Sequence, residues 1–188
     1  MACQEVGALN GVDPATKAAR RCLPRWSRSV KVGAGQGASM IGLLQRVSHA
    51  DVVVDGESIA HIGLGLAVLV GVERGDTDRE AARLLERLLA FRVFADDEGR
   101  MNLSVHDVGG ELLLVPQFTL AADTAKGNRP GFSRAAGPEQ GQELFEGLVR
   151  LAESSEIAVA SGRFGAMMQV NLSNEGPVTF WLRVTPTG

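Results

Sequence analysis

Cysteine is almost missing from this sequence. Cys3 and Cys22 are the only two in 188 residues, and both precede Met40. From Met40 onward the chain can form neither a disulfide nor a cysteine-based zinc site, and a reducing, cytoplasmic setting is the simple reading. Histidine is nearly as scarce: His49, His61 and His106 are scattered, with no pair at i, i+4 around a glutamate, so no metal centre is expected. No apolar run approaches the ~20 residues of a membrane-spanning helix. There is no Gly-x-Ser-x-Gly elbow to make Ser104 or Ser133 a hydrolase nucleophile. Positive charge is also short where it would matter. Residues 1 to 39 hold six Lys/Arg against two Asp/Glu, or +4, so the whole-chain charge of −3 leaves −7 for residues 40 to 188. An acidic body suits poorly a protein that grips long stretches of nucleic-acid backbone, but it leaves room for holding a single nucleotide end.

What is present reads as one domain of ordinary size. The first 39 residues are rich in Gly, Ala, Arg and Ser without a sustained apolar period, and disorder is expected there. From Met40 the pattern changes. Ile41 to Val47 and Ala50 to Val54 read as strands, Asp55-Gly56 as a hairpin turn and Ser58 to Ile62 as the return. Leu66 to Val72 is a fully apolar strand. Thr77 and Glu80 form a capping box for a helix with Ala81, Leu84, Leu85, Leu88 and Phe91 on one face. Pro138 suits the first turn of a second helix, striped by Leu144, Phe145, Leu148, Leu151 and Ala152. Further strands are expected at Ile157 to Ala160 and Met168 to Leu172. The fold class is α+β, with two helices packed on a sheet. Lys126, Arg129 and Arg134, in a loop-like stretch, make the densest positive patch outside the N-terminus.

Two stretches carry the chemistry. In the first, four aliphatic residues from Leu112 to Val115 make a core strand that Pro116 ends, because proline has no N–H for a sheet ladder. Gln117, Phe118 and Thr119 are then expected to leave regular pairing and present side chains and free backbone N–H groups. In the second, Val178, Phe180, Leu182 and Val184 alternate with Thr179, Trp181 and Arg183, a half-buried strand entered through Gly176-Pro177, where a cis peptide is a tolerable option.

Together these residues resemble the D-aminoacyl-tRNA deacylase family, whose marks are a Ser-Gln-Phe-Thr-Leu loop and an Asn-x-Gly-Pro-Val-Thr loop. The second is complete in Asn174 to Thr179, and the first appears as Pro116-Gln117-Phe118-Thr119-Leu120. The likeness extends over nearly all of Met40 to Val184, through Gln45-Arg46-Val47, Met101-Asn102-Leu103, Arg129-Pro130, Gly162-Arg163-Phe164 and Met168-Gln169-Val170. The resemblance implies a barrel-like, mostly antiparallel sheet with two packed helices in residues 40 to 188. It also implies a homodimer, no cofactor, and the aminoacylated 3′ end of tRNA as partner. The implied reaction is hydrolysis of the ester of D-aminoacyl-tRNA, with glycyl-tRNA also accepted. Gln117, Phe118 and Thr119 would hold the adenosine end and line the reaction centre. Gly176 and Pro177 of the other subunit would reach into the pocket and exclude an L side chain. Pro116, where the family usually has serine, is shared with a sister family that clears L-alanine from tRNA; Phe118, Asn174 and Val178 point back to the D-specific one. The proline's fixed φ is expected to shift the loop slightly and relax the filter somewhat.

Overall fold

The computed structural model describes residues 39–185; the disorder expected for residues 1 to 39 concerns a segment that, Ser39 aside, lies outside them. The sheet is organised around one long strand, β1 (Met40–Val54). The two strands expected here are continuous because a single long partner, β8 (Gln169–Val184), runs antiparallel along nearly the whole of it, from Met40↔Val184 to Val53↔Gln169. The opposite edge of β1 is shared. Its first half pairs with β3 (Gly65–Gly71) and its second half with β2 (Glu57–Ile62), both antiparallel. The β1–β2 turn is Asp55-Gly56, with φ of 53° and 84°; two successive left-handed residues are what a tight hairpin demands.

Beyond β3 the sheet changes sense. β6 (Glu111–Pro116) pairs parallel with β3, and β7 (Val159–Ser161) parallel with β6. Parallel neighbours need crossovers, and the two helices lie within them. α1 (Asp78–Ala90) lies between β3 and β6, and α2 (Pro138–Glu153) between β6 and β7. The result is a nearly closed, barrel-like mixed sheet whose central strand β1 is antiparallel to all three partners. A separate two-stranded ribbon, β4 (Phe94–Ala95) with β5 (Met101–Leu103), sits in the first crossover.

Both faces of β6 are covered, which is why it reads as an unbroken aliphatic run rather than an alternation. Leu112 and Leu114 pack with Leu44, Val68, Leu84 and Leu148 under the helices, while Leu113 and Val115 face Val47, Val52, Ile62 and Ala67 inside the curled sheet. The Thr77 and Glu80 capping box is formed in full. Three expected core residues are not in the core. Phe91 is the cap that follows α1, half-buried and extended. Leu151 is 40% exposed, because α2 turns it away from the sheet. Phe180 is 36% exposed and meets the edge of Phe91 with ring centroids 5.2 Å apart, so the side-chain alternation of β8 holds while burial lapses at one position. The last expected small strand is shorter and later than its sequence suggests, at Val159–Ser161, and the two strands expected from Met168 onward are the single strand β8.

Candidate functional site

β6 delivers its C-terminal end to the surface. Its N–H groups alternate between neighbours: Leu112 donates toward the β7 side, to the carbonyl of Ala158, and Glu111 toward the β3 side, to that of Leu64. By this alternation position 116 faces the β7 side, where pairing has already stopped at Leu114↔Ser161, so a proline there forfeits no ladder bond. Gln117 faces the β3 side and, against expectation, keeps one more bond: its N–H donates to the Val70 carbonyl at 2.7 Å. Only then does the chain leave the sheet. It does so as a 3₁₀ turn, Phe118–Ala121, rather than an open loop.

The first N–H groups of a helical turn have no partner within it. Those of Phe118 and Thr119 find none elsewhere among the described residues, so two adjacent main-chain donors are free at the end of the strand. Beside them the Gln117 side-chain amide donates to the Thr119 hydroxyl at 2.6 Å, leaving that hydroxyl's own proton available. Phe118 is 57% exposed and packs on Phe132, centroids 5.2 Å apart. A shallow crevice beneath the turn is lined by Val72, Pro116, Gln117, Phe118, Phe145 and Phe164. Gln117, Phe118 and Thr119 contribute polar and aromatic groups but nothing titratable.

The second stretch is a bulge. Between Val47↔Asn174 and Gln45↔Thr179, β1 advances two residues and β8 five, so three extra residues of β8 leave the ladder around an exposed Gly176-Pro177 with a cis peptide bond. Asn174 fastens this bulge from within: its side-chain amide donates to the carbonyls of Arg46, at 2.8 Å, and Val178, at 3.2 Å. Arg46 stands 3.9 Å from Glu175 on the flank. A Cβ on Gly176 would lie 2.7 Å from the Asn174 side-chain oxygen, so only glycine fits while that fastening holds.

Along the sheet of one chain the two stretches lie far apart. The bulge lies opposite Arg46, which aligns through Leu66 with Leu112; Gln117 follows Pro116, which aligns through Val70 with Gly42. Along the pairing ladder they are therefore three strands apart across the sheet, roughly 14 Å, and offset by five residues along it, roughly 17 Å, on a flat sheet.

Behind the turn lies a buried polar cluster that nothing in the sequence marked. Glu73, buried just after β3, accepts from the Ser39 hydroxyl and from the guanidinium groups of Arg183 at 2.8 Å and Arg134 at 3.1 Å. Arg134, one of the three cations of the expected positive patch, is held by this ion pair. Asp76, also buried, accepts the Glu73 N–H at 2.7 Å through one oxygen and has no partner for the other. Burial, reinforced by the nearby charges of Glu73 and Glu80, pushes its carboxyl up to about 7 despite that hydrogen bond and the pull of Arg183. A run of acidic residues in a turn looks solvated, and only the fold shows which of them are enclosed.

Among the described residues no three His, Cys, Asp or Glu side chains cluster as a metal site, and no helix is long and apolar enough to cross a membrane. Asp96 makes a turn of its own, accepting from the N–H groups of Glu98 and Arg100 and from the Asn102 side chain; those hydrogen bonds hold its carboxyl below the usual range.

Comparison with known proteins bears on what this arrangement does. The family described as D-Tyr-tRNA(Tyr) deacylase matches residues 43–183. A protein of Thioalkalivibrio sulfidiphilus named D-aminoacyl-tRNA deacylase is 62% identical over 147 residues, 78% of this chain and 99% of the relative. One of the same name from Nitrosococcus oceani is 60% identical over 147 residues, 78% of this chain and 95% of the relative. A solved structure titled c-Myc DNA Unwinding Element Binding Protein is 38% identical, with a TM-score of 0.73, over 78% of this chain and 99% of that one.

Proposed function

This chain belongs to the D-Tyr-tRNA(Tyr) deacylase family, and from that premise we propose that it hydrolyses the ester joining a D-amino acid to the terminal ribose of tRNA. The observation that carries the reading is the pair of unpartnered N–H groups at Phe118 and Thr119, beside a hydroxyl held by Gln117. An aminoacyl ester is already activated, and a vicinal ribose hydroxyl sits beside its carbonyl, so no strong side-chain base is required. Two main-chain donors aimed at the developing oxyanion contribute roughly 3–4 kcal/mol each in hydrolases, and positioning supplies the remainder. Gln117, Phe118 and Thr119 are accordingly assigned to the reaction centre and the adenosine end.

Gly176 and Pro177 are assigned to chirality, acting in the pocket of a second copy of the chain. Their distance from Gln117 along the pairing ladder supports action in trans, and so does the β8 edge that faces away from β1, which has no strand partner among the described residues. Selection is by exclusion: an L side chain is crowded out, a D side chain points away, and glycine passes because it has nothing to exclude. The setting that fits a cysteine-free body is the cytoplasm, with proofreading of charged tRNA as the role. The test is one tRNA charged in turn with D-alanine, glycine and L-alanine. D-alanine and glycine are expected to be released readily and L-alanine poorly; comparable rates for D- and L-alanine would defeat the assignment.

A further inference from the structure

An acidic body has to meet the phosphates of a nucleic acid somewhere. Residues 40 to 188 hold 13 Lys/Arg against 20 Asp/Glu, and most of the cations stand beside acids. Arg83 is paired with Glu86, Arg100 with Glu98, Arg46 with Glu175, and Arg134 and Arg183 with Glu73. Arg150 and Arg163 share a groove with Glu146 and Glu153. Arg74, Arg79, Arg87 and Arg92 make no ion pair among the described residues, but the first three adjoin an acid in the chain and Arg92 lies near Asp107, so one acid-free segment still differs. From Thr124 to Gly137 there are three cations and no Asp or Glu, and Lys126 is the only lysine after Lys31. Lys126 and Arg129 are exposed and have no ion-pair partner among the described residues.

That segment is also a built loop attached to the reaction centre. It begins three residues after the 3₁₀ turn, and its neck is closed by paired bonds between Asp123 and Gly131, at 2.7 and 2.9 Å. Asp123 further accepts the Ala125 N–H at 2.9 Å. On its returning limb Phe132 packs on Phe118, and Arg134 is anchored on the buried Glu73. Four residues from neck to tip let it project up to about 13 Å from the site.

We propose that residues 124–130 form an arm for the sugar-phosphate backbone, with Lys126 and Arg129 neutralising phosphates just before the terminal adenosine of the tRNA. The inference rests on the deacylase reading and extends its binding surface beyond the last nucleotide. The arm contributes affinity for the strand and leaves the chemistry at Phe118 and Thr119 untouched.

Two substrates separate the consequences: a full D-aminoacyl-tRNA and the 3′-D-aminoacyl ester of adenosine alone, which lacks the preceding phosphates. With the double substitution Lys126→Ala and Arg129→Ala, KM for the tRNA is expected to rise at least about fivefold, with kcat within twofold. The dependence of log kcat/KM on log salt should flatten by about 1.4, the value for two phosphate contacts on a single strand. Both constants for aminoacyl-adenosine should hold, and Lys126→Arg with Arg129→Lys should restore the tRNA value. An unchanged KM and salt slope for tRNA would overturn the arm. So would an equal loss on both substrates, which would mean damage to the site itself. If the unsubstituted protein hydrolysed neither substrate, the deacylase reading would fall and take the arm with it.

Discussion

At the scale of single residues, the site is a matter of which groups have been left without partners. Thr119 invites a role as nucleophile, but its oxygen already accepts from Gln117 and no base stands beside it in the turn. For the proposed reaction the free main-chain donors are the better placed machinery. Thr119→Ala is therefore expected to lower kcat by no more than about tenfold, well below the 10²–10³ that loss of an oxyanion donor costs. A tRNA lacking the terminal 2′-hydroxyl while keeping the 3′-ester should suffer more. Single-turnover rates on the two substrates check this, and full activity on the 2′-deoxy substrate would return Thr119 to candidacy. Gln117, Phe118, Thr119, Gly176 and Pro177 were all legible as motif residues. Their hydrogen bonds were not, because a motif fixes residue types and leaves the partners to the fold. Phe180 shows the opposite failure, since its alternation is correct and its burial is not; Phe91, which meets it, lies far away in the chain.

Among elements, strands with local signals were easiest to read. β2, β3, β6 and both helices lie within a few residues of where apolar period, turn chemistry and caps put them. β1 and β8 were each divided in two, because a polar pair at Ser48-His49 and a Gly-Pro step look like interruptions. The sheet carries both through on cross-strand bonds that no local pattern announces. The parallel pairings of β6 were likewise invisible, being set by the crossovers. The geometry of β6 revises the expectation for Pro116. Its missing N–H faces the side where pairing has ended, and the next bond, from the Gln117 N–H to Val70, does not involve it. Pro116→Ser should then change stability by less than about 1 kcal/mol and leave the ratio of D- to L-alanine cleavage within about threefold. Denaturant melts and parallel kinetics check this; a sharp fall in L-alanine cleavage would show that proline does loosen the filter.

For the molecule as a whole, stability carries a signature from Asp76. Its folded-state pKa, about 7, lies above the ordinary aspartate value of 3.8. Between those values the folded chain holds a proton that the unfolded chain has lost. The contribution is complete below about pH 4, fades as pH rises toward 7 and is gone above it. Glu80 and Asp107 act in the opposite sense at the acid end. Hydrogen bonds at Thr77, against opposing burial, lower Glu80, and those from Ser104 lower Asp107, so stability is lost as these carboxylates take up protons. Asp76→Asn cannot ionise and should gain on the order of 2 kcal/mol over the parent at pH 8 with little difference near pH 4. Unfolding curves at both pH values measure it, and a pH-independent difference would mean that Asp76 is solvated or differently paired.

If Gly176 acts in the pocket of a second copy, as proposed, the three strands that separate it from Gln117 lead to intragenic complementation. Suppose that Gly176→Ala, which drives a methyl into the Asn174 oxygen, spoils the donated bulge, and that Gln117→Ala spoils the receiving turn. Each homodimer is then defective at both centres. In a mixed dimer, one centre joins the intact turn of the first chain to the intact bulge of the second, while the other centre inherits both lesions. Random pairing makes half the dimers mixed, so refolding equal amounts of the two inactive proteins together should recover about one quarter of the parental activity. A chain whose bulge served its own turn would recover none.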